Sequence, residues 1–303
     1  MRVGVHVSIA GGWLAALERA VGLSCRSVQI FSRSPRGGPA PRIDPQQADA
    51  FAAGRQQADL APLIVHGPYI INLASADRTN FSRSAALCRD EYARCVALGA
   101  RYLVLHVGSH KGDGEEQGIA RVAEAVNRIL DQPARGPHLA EPVMVLLENT
   151  AGSGQGLGYR FEQLTAMRAL VEDQARIGFC LDTAHLFASG FPIHTAEGLT
   201  QTMDDAERIL GMARVRVIHL NDSKSAFESR VDRHWHIGEG QIGMEAMGRI
   251  LREPRLADLP LILETPKDSD EDDRRNLATV HRLLADRPAE TAGAGARRSR
   301  RNA

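Results

Sequence analysis

Eight short apolar runs recur along the chain, at 3–7, 27–31, 63–66, 102–107, 143–147, 177–181, 215–220 and 259–263. They are continuous and rich in Val, Ile and Leu instead of alternating apolar with polar. Strands buried on both faces have this pattern. Their starts lie 24 (3 to 27) to 44 (215 to 259) residues apart, room for a helix after each. Helical periodicity occupies several of the gaps, at 13–21, 84–98, 118–130, 160–171 and 200–210. In the second of these, Leu87, Tyr92, Cys95, Val96 and Leu98 fall near one stripe. Parallel strands joined by helices either close into a (β/α)8 TIM barrel or open into a doubly wound sheet. Eight units with no break between residues 1 and 287 predict the barrel, an α/β fold in one domain. The Gly11-Gly12 pair lacks the glycine spacing of a dinucleotide-binding turn, which argues against the open sheet.

The apolar runs end in chemistry. LIVHG supplies His66, LVLHVG His106, VMVLLEN Glu148, GFCLDTAH Asp182 and His185, VIHLND His219 and Asp222, and LILETP Glu264. VDRHWH, after the seventh run, adds Asp232, His234 and His236. A buried imidazole or carboxylate at a strand end costs free energy unless it is paired or coordinated. One such residue is unremarkable; in a barrel, however, six such ends share a single rim, where the active sites of these folds lie. Imidazole mixed with carboxylate suits zinc, manganese or iron, and this many donors exceeds one tetrahedral ion. Two or three neighbouring ions serve phosphoryl chemistry, activating water and holding the non-bridging and leaving oxygens.

Composition narrows the partners. The chain has 303 residues, with 37 basic and 37 acidic residues, a formal net charge of zero. That counts mildly against a nucleic-acid binder, but carboxylates that hold cations inflate the acidic total. Cys25, Cys88, Cys95 and Cys180 form no CxxC pair and are expected to be buried free thiols, which suits a reducing cytoplasm. The opening MRVGVHVSIAGG has no long apolar run, so no signal peptide is expected, and no stretch approaches the roughly 20 residues of a membrane span. Residues 288–303 lack any aliphatic run, mix Ala, Gly and Arg, and predict a disordered basic tail.

At the rim motifs the chain resembles endonuclease IV, a family of apurinic/apyrimidinic endonucleases. The matching segments are HVSIAGG at 6–12, HGPYIINLAS at 66–75, LVLHVGSH at 103–110, LLENTAGSGQGLG at 146–158, LDTAHLFASG at 181–190, HLNDSK at 219–224, DRHWHIGEGQIG at 232–243 and LETPKD at 263–268. Each piece is short, but together, in order, they cover the chain from residue 1 to about 285.

The resemblance implies a TIM barrel with three zinc ions, one position open to manganese. The first ion would take His66, His106 and Glu148; the second Glu148 as a bridge, with Asp182, His219 and Glu264; the third His185, Asp232 and His234. The implied reaction is hydrolysis of the phosphodiester 5′ to an abasic site, leaving a 3′-hydroxyl and a 5′-deoxyribose phosphate, with trimming of blocked 3′ ends as the same chemistry. Glu148 and Glu264 would be the catalytic carboxylates, Glu264 orienting or deprotonating the nucleophile. The partner is double-stranded DNA, met by a monomer in the cytoplasm at the nucleoid. Tyr69 matches an intercalating position and Arg36 an arginine that enters the base stack. Lys224, Arg230, Arg233 and Lys267, beside the ligand motifs, are expected to meet DNA backbone. His6 is expected to support the site without binding metal, and His110 and His236 to be exposed loop histidines. The stretch Ser34-Pro35-Arg36-Gly37-Gly38-Pro39 departs from the family, which usually has Asn near position 34 and a tryptophan soon after the arginine. Two other functions suit a barrel of this kind. A sugar isomerase or epimerase would not need the His185, Asp232 and His234 set, and a non-catalytic DNA-binding protein would have lost ligands.

Overall fold

A computed structural model describes residues 1–286 except 39, 41 and 270. Eight parallel strands alternate with helices: β1 (Val3–Val7), α1 (Trp13–Gly22), β2 (Ser27–Phe31), α2 (Pro45–Gln57), β3 (Leu63–His66), α3 (Arg78–Leu98), β4 (Tyr102–Leu105), α4 (Glu115–Leu130), β5 (Met144–Glu148), α5 (Phe161–Ala169) and β6 (Ile177–Asp182). The chain continues through α6 (Thr183–Ser189), α7 (Ala196–Ile209), β7 (Val215–His219), the short strands β8 (Asp222–Ser223) and β9 (His234–Trp235), α8 (Met244–Arg252), β10 (Leu261–Leu263) and α9 (Glu271–Ala285). Around the barrel the order is β1-β10-β7-β6-β5-β4-β3-β2, closed on itself, and β8 with β9 forms a separate antiparallel pair. The expected single α/β barrel is therefore the fold. The expected tail, 288–303, lies outside the described residues.

Why the runs read as continuous is visible in the core. Residues facing the barrel axis (Ile64, Val104, Met144, Leu146, Cys180, Val217 and Ile262) form one apolar cluster. The alternate residues of the same strands pack against the helices in a second, larger one. Both faces of most strands are thus dry and select apolar side chains; β1 and β2 break the pattern with His6, Ser27 and Gln29. The axial cluster is the floor on which the polar rim stands.

Element ends differ from the sequence reading where polar caps decide them. α3 begins at Arg78, six residues before the predicted segment 84–98, because the Asp77 carboxylate accepts from Asn80 N at 2.6 Å. α7 begins at Ala196 because Thr195 Oγ1 accepts from Gly198 N at 3.0 Å. α2, α6, α8 and α9 had no individual prediction; α2 has Phe51 as its only large apolar side chain, so it carries almost no amphipathic signal. β4 ends at Leu105, leaving His106 just beyond the strand, and β5 runs on to include Glu148.

Candidate metal centre

The polar strand ends meet above the axial cluster. Glu148, at the end of β5, is fully buried and lies at the middle. Its Oε2 is 3.1 Å from His66 Nε2 and 2.9 Å from His106 Nε2, while its Oε1 is 2.8 Å from His219 Nδ1. His219 Nδ1 also lies 3.2 Å from Glu264 Oε2. Burial alone would raise the Glu148 carboxyl, but His219 and His106 outweigh it and hold the group well below the ordinary carboxylate range. Glu264 behaves the same way, with His219 the largest of the groups that outweigh its burial. Both are carboxylates at neutral pH.

A third set stands beside the first two. His185 Nε2 is 3.2 Å from Asp232 Oδ2, and His234 Nε2 is 3.4 Å from Asp232 Oδ1 and 3.5 Å from Asp182 Oδ2. Potential ligand atoms gather within 4.8 Å of one another in three groups made of imidazole and carboxylate alone: His66, His106, Glu148; Glu148, Asp182, His219, Glu264; and Asp182, His185, His234. All nine ligands that the resemblance implied are brought together, and Asp182 faces both the second and the third set.

Whether these residues fit metal ions is tested by where their nitrogens point. His66 Nδ1 is 2.7 Å from the Gly67 carbonyl and His185 Nδ1 is 2.9 Å from that of Asn149. His234 Nδ1 is 3.2 Å from the carbonyl of Glu264. A carbonyl only accepts, so each Nδ1 carries a proton and each Nε2 is the nitrogen turned toward the centre. His185 Nε2 and His234 Nε2 then confront each other at 3.4 Å. At that distance they need a proton or a metal cation between them: without metal, and despite burial, Asp182 and Asp232 favour a proton on His185, and the same position suits a metal ion. About 3.4 Å is the edge of a tetrahedron whose centre is about 2.1 Å from each donor, the usual zinc–imidazole distance. The donor set fits clustered divalent ions.

Asp222, His236 and His110 stand differently from what their sequence motifs imply. Asp222, counted as metal-competent, is fully buried but turned away from the centre. Its Oδ2 accepts from the amides of Gly238, Gly240 and Gly243 at 3.0, 3.0 and 3.2 Å, and its Oδ1 from Ser223 and Ile242 at 2.7 and 3.0 Å. It ties GEGQIG down beside the β8–β9 pair; a Cβ on Gly240 would meet the Asp222 carboxylate, so only glycine fits there. His236 is buried, not exposed, with Nδ1 3.1 Å from Asn276 Nδ2 on α9. His110 is half-buried, its Nδ1 accepting from Gly112 N and Gly114 N at 3.3 and 3.2 Å, so it shapes its own loop. Two residues went unmarked in the sequence, Gln29 and Asn221. Asn221 Nδ2 donates to Asp182 Oδ2 at 2.6 Å, and its Oδ1 accepts from Glu264 N at 2.8 Å. Cys180 lies beneath Glu148 and His219, its thiol pushed up to about 12 by burial and therefore neutral. All four cysteines are buried and free.

Around the centre stands the rim of loops. Tyr69 is 63% exposed and rises beside His66 and His106, with its ring 5.2 Å edge-on from Phe31. It divides two open cavities. One, of about 510 Å³, is floored by His6, Phe31 and Glu264. The other, of about 430 Å³, is bounded by His106, Ser109, Lys111, His185 and Asp232. Arg36 is exposed on the neighbouring loop. That loop is anchored below by Arg33, paired with Asp90 and Glu91, and by Arg94, which donates to the Ser32 carbonyl at 2.6 Å. Gly37, at φ +84°, lies so close to Ile70 that a Cβ there would strike the Ile70 side chain. The Arg36 and Tyr69 loops are thus in contact. Lys224 and Arg233 are exposed next to the third set, with Lys224 Nζ 4.0 Å from the centre of the Trp235 ring. Arg230 lies against the Tyr159 ring at 4.9 Å. Lys267 is turned aside into a pair with Asp273 at 2.8 Å.

Parallel barrel and clustered rim donors define a class, the xylose isomerase-like TIM barrels, and the model of that family matches residues 17–290. Solved members at low identity, such as a D-tagatose 3-epimerase-like protein (17% identical, TM-score 0.68, 94% of this chain and 97% of that one), share the fold. Within the class the relatives are specific. The probable endonuclease 4 of Chloroflexus aurantiacus is 44% identical over 284 residues, 93% of this chain and 98% of the relative. That of Solibacter usitatus is 45% identical over 285 residues, 93% and 97%. The crystal structure of endonuclease IV from Thermus thermophilus is 36% identical with a TM-score of 0.82, over 94% of this chain and 99% of that one. The chain belongs to the endonuclease IV family and is an endonuclease of that type.

Proposed function

We propose that the protein hydrolyses the phosphodiester 5′ to abasic sites in double-stranded DNA through a trinuclear zinc centre, with manganese an alternative in one position, and trims blocked 3′ ends with the same machinery. The observation that carries this reading is the convergence of nine donors on one rim, with the His185 and His234 Nε2 atoms 3.4 Å apart. His66, His106 and Glu148 would hold the first ion; Glu148, Asp182, His219 and Glu264 the second; His185, Asp232 and His234 the third. The bound ions would activate water and neutralise charge on the phosphoryl oxygens.

The chain's own residues do the rest. Glu148, central and ionised, joins the first two sets through its two oxygens. Glu264 is the best placed base: it is ionised, sits at the floor of the 510 Å³ cavity, and receives an N–H from Gln29 at 2.6 Å that fixes its orientation. Tyr69 is positioned to fill the gap left by a missing base, and Arg36 to enter the stack beside it. An abasic nucleotide leaves the duplex at lower cost than an intact one, which contributes selectivity. Lys224 and Arg233 supply positive charge to the phosphates flanking the third set. No helix among the described residues is long and apolar enough to cross a membrane. We place the enzyme in the cytoplasm, acting at the nucleoid as a monomer, since one rim faces one duplex.

The test is incision of a duplex carrying one tetrahydrofuran abasic analogue, without added magnesium, before and after prolonged chelation, with elemental analysis of the protein. Cleavage 5′ to the analogue, lost on chelation, with close to three zinc or manganese ions per chain is the expected result. A full metal content without incision would overturn the reading and direct attention to ketose–aldose chemistry.

A further inference from the structure

Gln29 sits in the middle of β2, completely buried, in a strand that otherwise reads SVQIF. A buried primary amide inside a barrel costs free energy unless its donors and acceptor are used. All three directions are used here, on three separate ionisable groups. Nε2 is 2.6 Å from Glu264 Oε1 and 3.0 Å from His6 Nδ1, and Oε1 is 2.8 Å from His219 Nε2.

The chemistry of the partners decides which end of the amide is which. Glu264 is a carboxylate and can only accept, so the atom 2.6 Å away must be the N–H end; the reverse amide would set two oxygens against each other. Oε1 therefore faces His219 and can only accept, so His219 Nε2 carries the proton. His219 Nδ1 is then the nitrogen turned toward Glu148 and Glu264, the one that can exchange its proton for a metal ion. The second Gln29 N–H is directed at His6 Nδ1 and occupies that nitrogen. This accounts for a histidine at the edge of the centre that joins none of the three donor groups.

We infer that Gln29 is a positioning residue for the second metal site: it selects the His219 tautomer that can bind metal through Nδ1 and, with the same amide, holds Glu264 in place. The inference deepens the proposed function and rests on its assignment of His219 and Glu264 to one ion. It separates Gln29 from residues that only fill space. A leucine has the right volume but offers neither contact. Glutamate restores the acceptor for His219 while replacing the Glu264 donor with a repelling oxygen. Partners that orient metal ligands in this way typically contribute about 10- to 100-fold in metal affinity.

The test compares wild type, Gln29→Leu, Gln29→Glu, His219→Ala and Glu264→Gln as purified full chains. Each is stripped by chelation and retitrated with zinc against a competing chelator, and long-range ¹H–¹⁵N spectra of the imidazoles are recorded for the zinc-loaded protein. The Gln29→Leu chain should bind its weakest zinc equivalent about 10- to 100-fold less tightly and regain incision at high zinc, with a stripped-protein melting temperature near that of wild type. The wild-type spectrum should show His219, assigned by its loss in His219→Ala, protonated on Nε2. Gln29→Glu should keep that tautomer yet lose affinity. If His219→Ala and Glu264→Gln lose zinc but Gln29→Leu does not, or if His219 is protonated on Nδ1, the inference is wrong while the metal assignment stands. If His219→Ala and Glu264→Gln both keep full zinc affinity, the assignment of the site itself fails. A Gln29→Leu chain that melts early and gains nothing from zinc would make Gln29 structural and also overturn the inference.

Discussion

Asp222 and Asp232 lie ten residues apart in neighbouring motifs, and the structure gives them opposite jobs, which one pair of substitutions separates. In Asp222→Asn the better rotamer keeps an oxygen toward the three glycine amides and turns the NH2 toward Ser223 N and Ile242 N. Ser223 and Ile242 are 1% and 5% exposed, so water cannot replace the lost acceptor. Two stranded buried donors cost about 1–3 kcal/mol each, and loss of the charge weakens the remaining three bonds. The sum is about 3–5 kcal/mol, which at about 2–4 °C per kcal/mol for a domain of this size lowers the melting temperature by roughly 10 °C. The measurement is a thermal and urea melt of the chelated protein, so that metal binding does not mask the loss. Asp232→Asn, at a side chain 47% exposed, loses only its pairing with His185 and His234 and should lower the same melt by less than half as much, while removing a ligand of the third set and most incision. A melting temperature for Asp222→Asn within 2 °C of wild type would refute the latch, and equal losses in both variants would refute the division of labour.

Three further outcomes are expected. Glu264→Gln should fold and, with zinc in excess to offset its weakened affinity, keep much of its metal but cleave abasic duplex about 10²- to 10⁴-fold more slowly; single-turnover incision near the wild-type rate would remove its catalytic role. Arg36→Ala should raise the dissociation constant for abasic duplex by about tenfold, or 1.4 kcal/mol, and leave the saturated rate nearly unchanged; an unchanged constant in a binding titration would take Arg36 out of DNA recognition. In the chelated protein, burial pushes His185 down but Asp182 and Asp232 more than reverse it, raising the group from 6.5 to about 10. A raised pKa in the folded state stabilises below the unfolded value and is lost as pH climbs through the folded one. Melting temperature should therefore fall between about pH 6.5 and 10 after chelation; a melt that is flat or rises over that window would contradict the proton assignment.

The fold was legible because a barrel strand is dry on both faces. Most of the eight strands therefore appear as uninterrupted apolar runs, and polar residues at their C-terminal ends stand out against them. Helix starts were less legible, since Asp77 and Thr195 act through single side-chain caps that leave no periodic signal, and α2 has only Phe51 to mark its buried face. The local pattern singled out the nine rim donors together with Asp222 and His236, but it could not say which of them converge. Sequence spacing specifies which residues end a strand, whereas the direction of a side chain beyond that end is set by the loop that carries it.

What the sequence by itself determined, then, is the barrel, the rim and the family: apolar runs dictate burial, and burial dictates that their charged ends share one surface. What only the tertiary structure decided is the role of each polar group. Asp222 is a latch because five amides from its own and a later loop close on it, and His236 is internal because Asn276 of α9 meets it. Gln29, unmarked in a run of apolar residues, matters because closing the barrel brings β2 within reach of His219 and Glu264, some 190 and 235 residues away. Hydrogen-bond direction depends on which atoms come within about 3 Å, and distances of that kind exist only once the chain has folded.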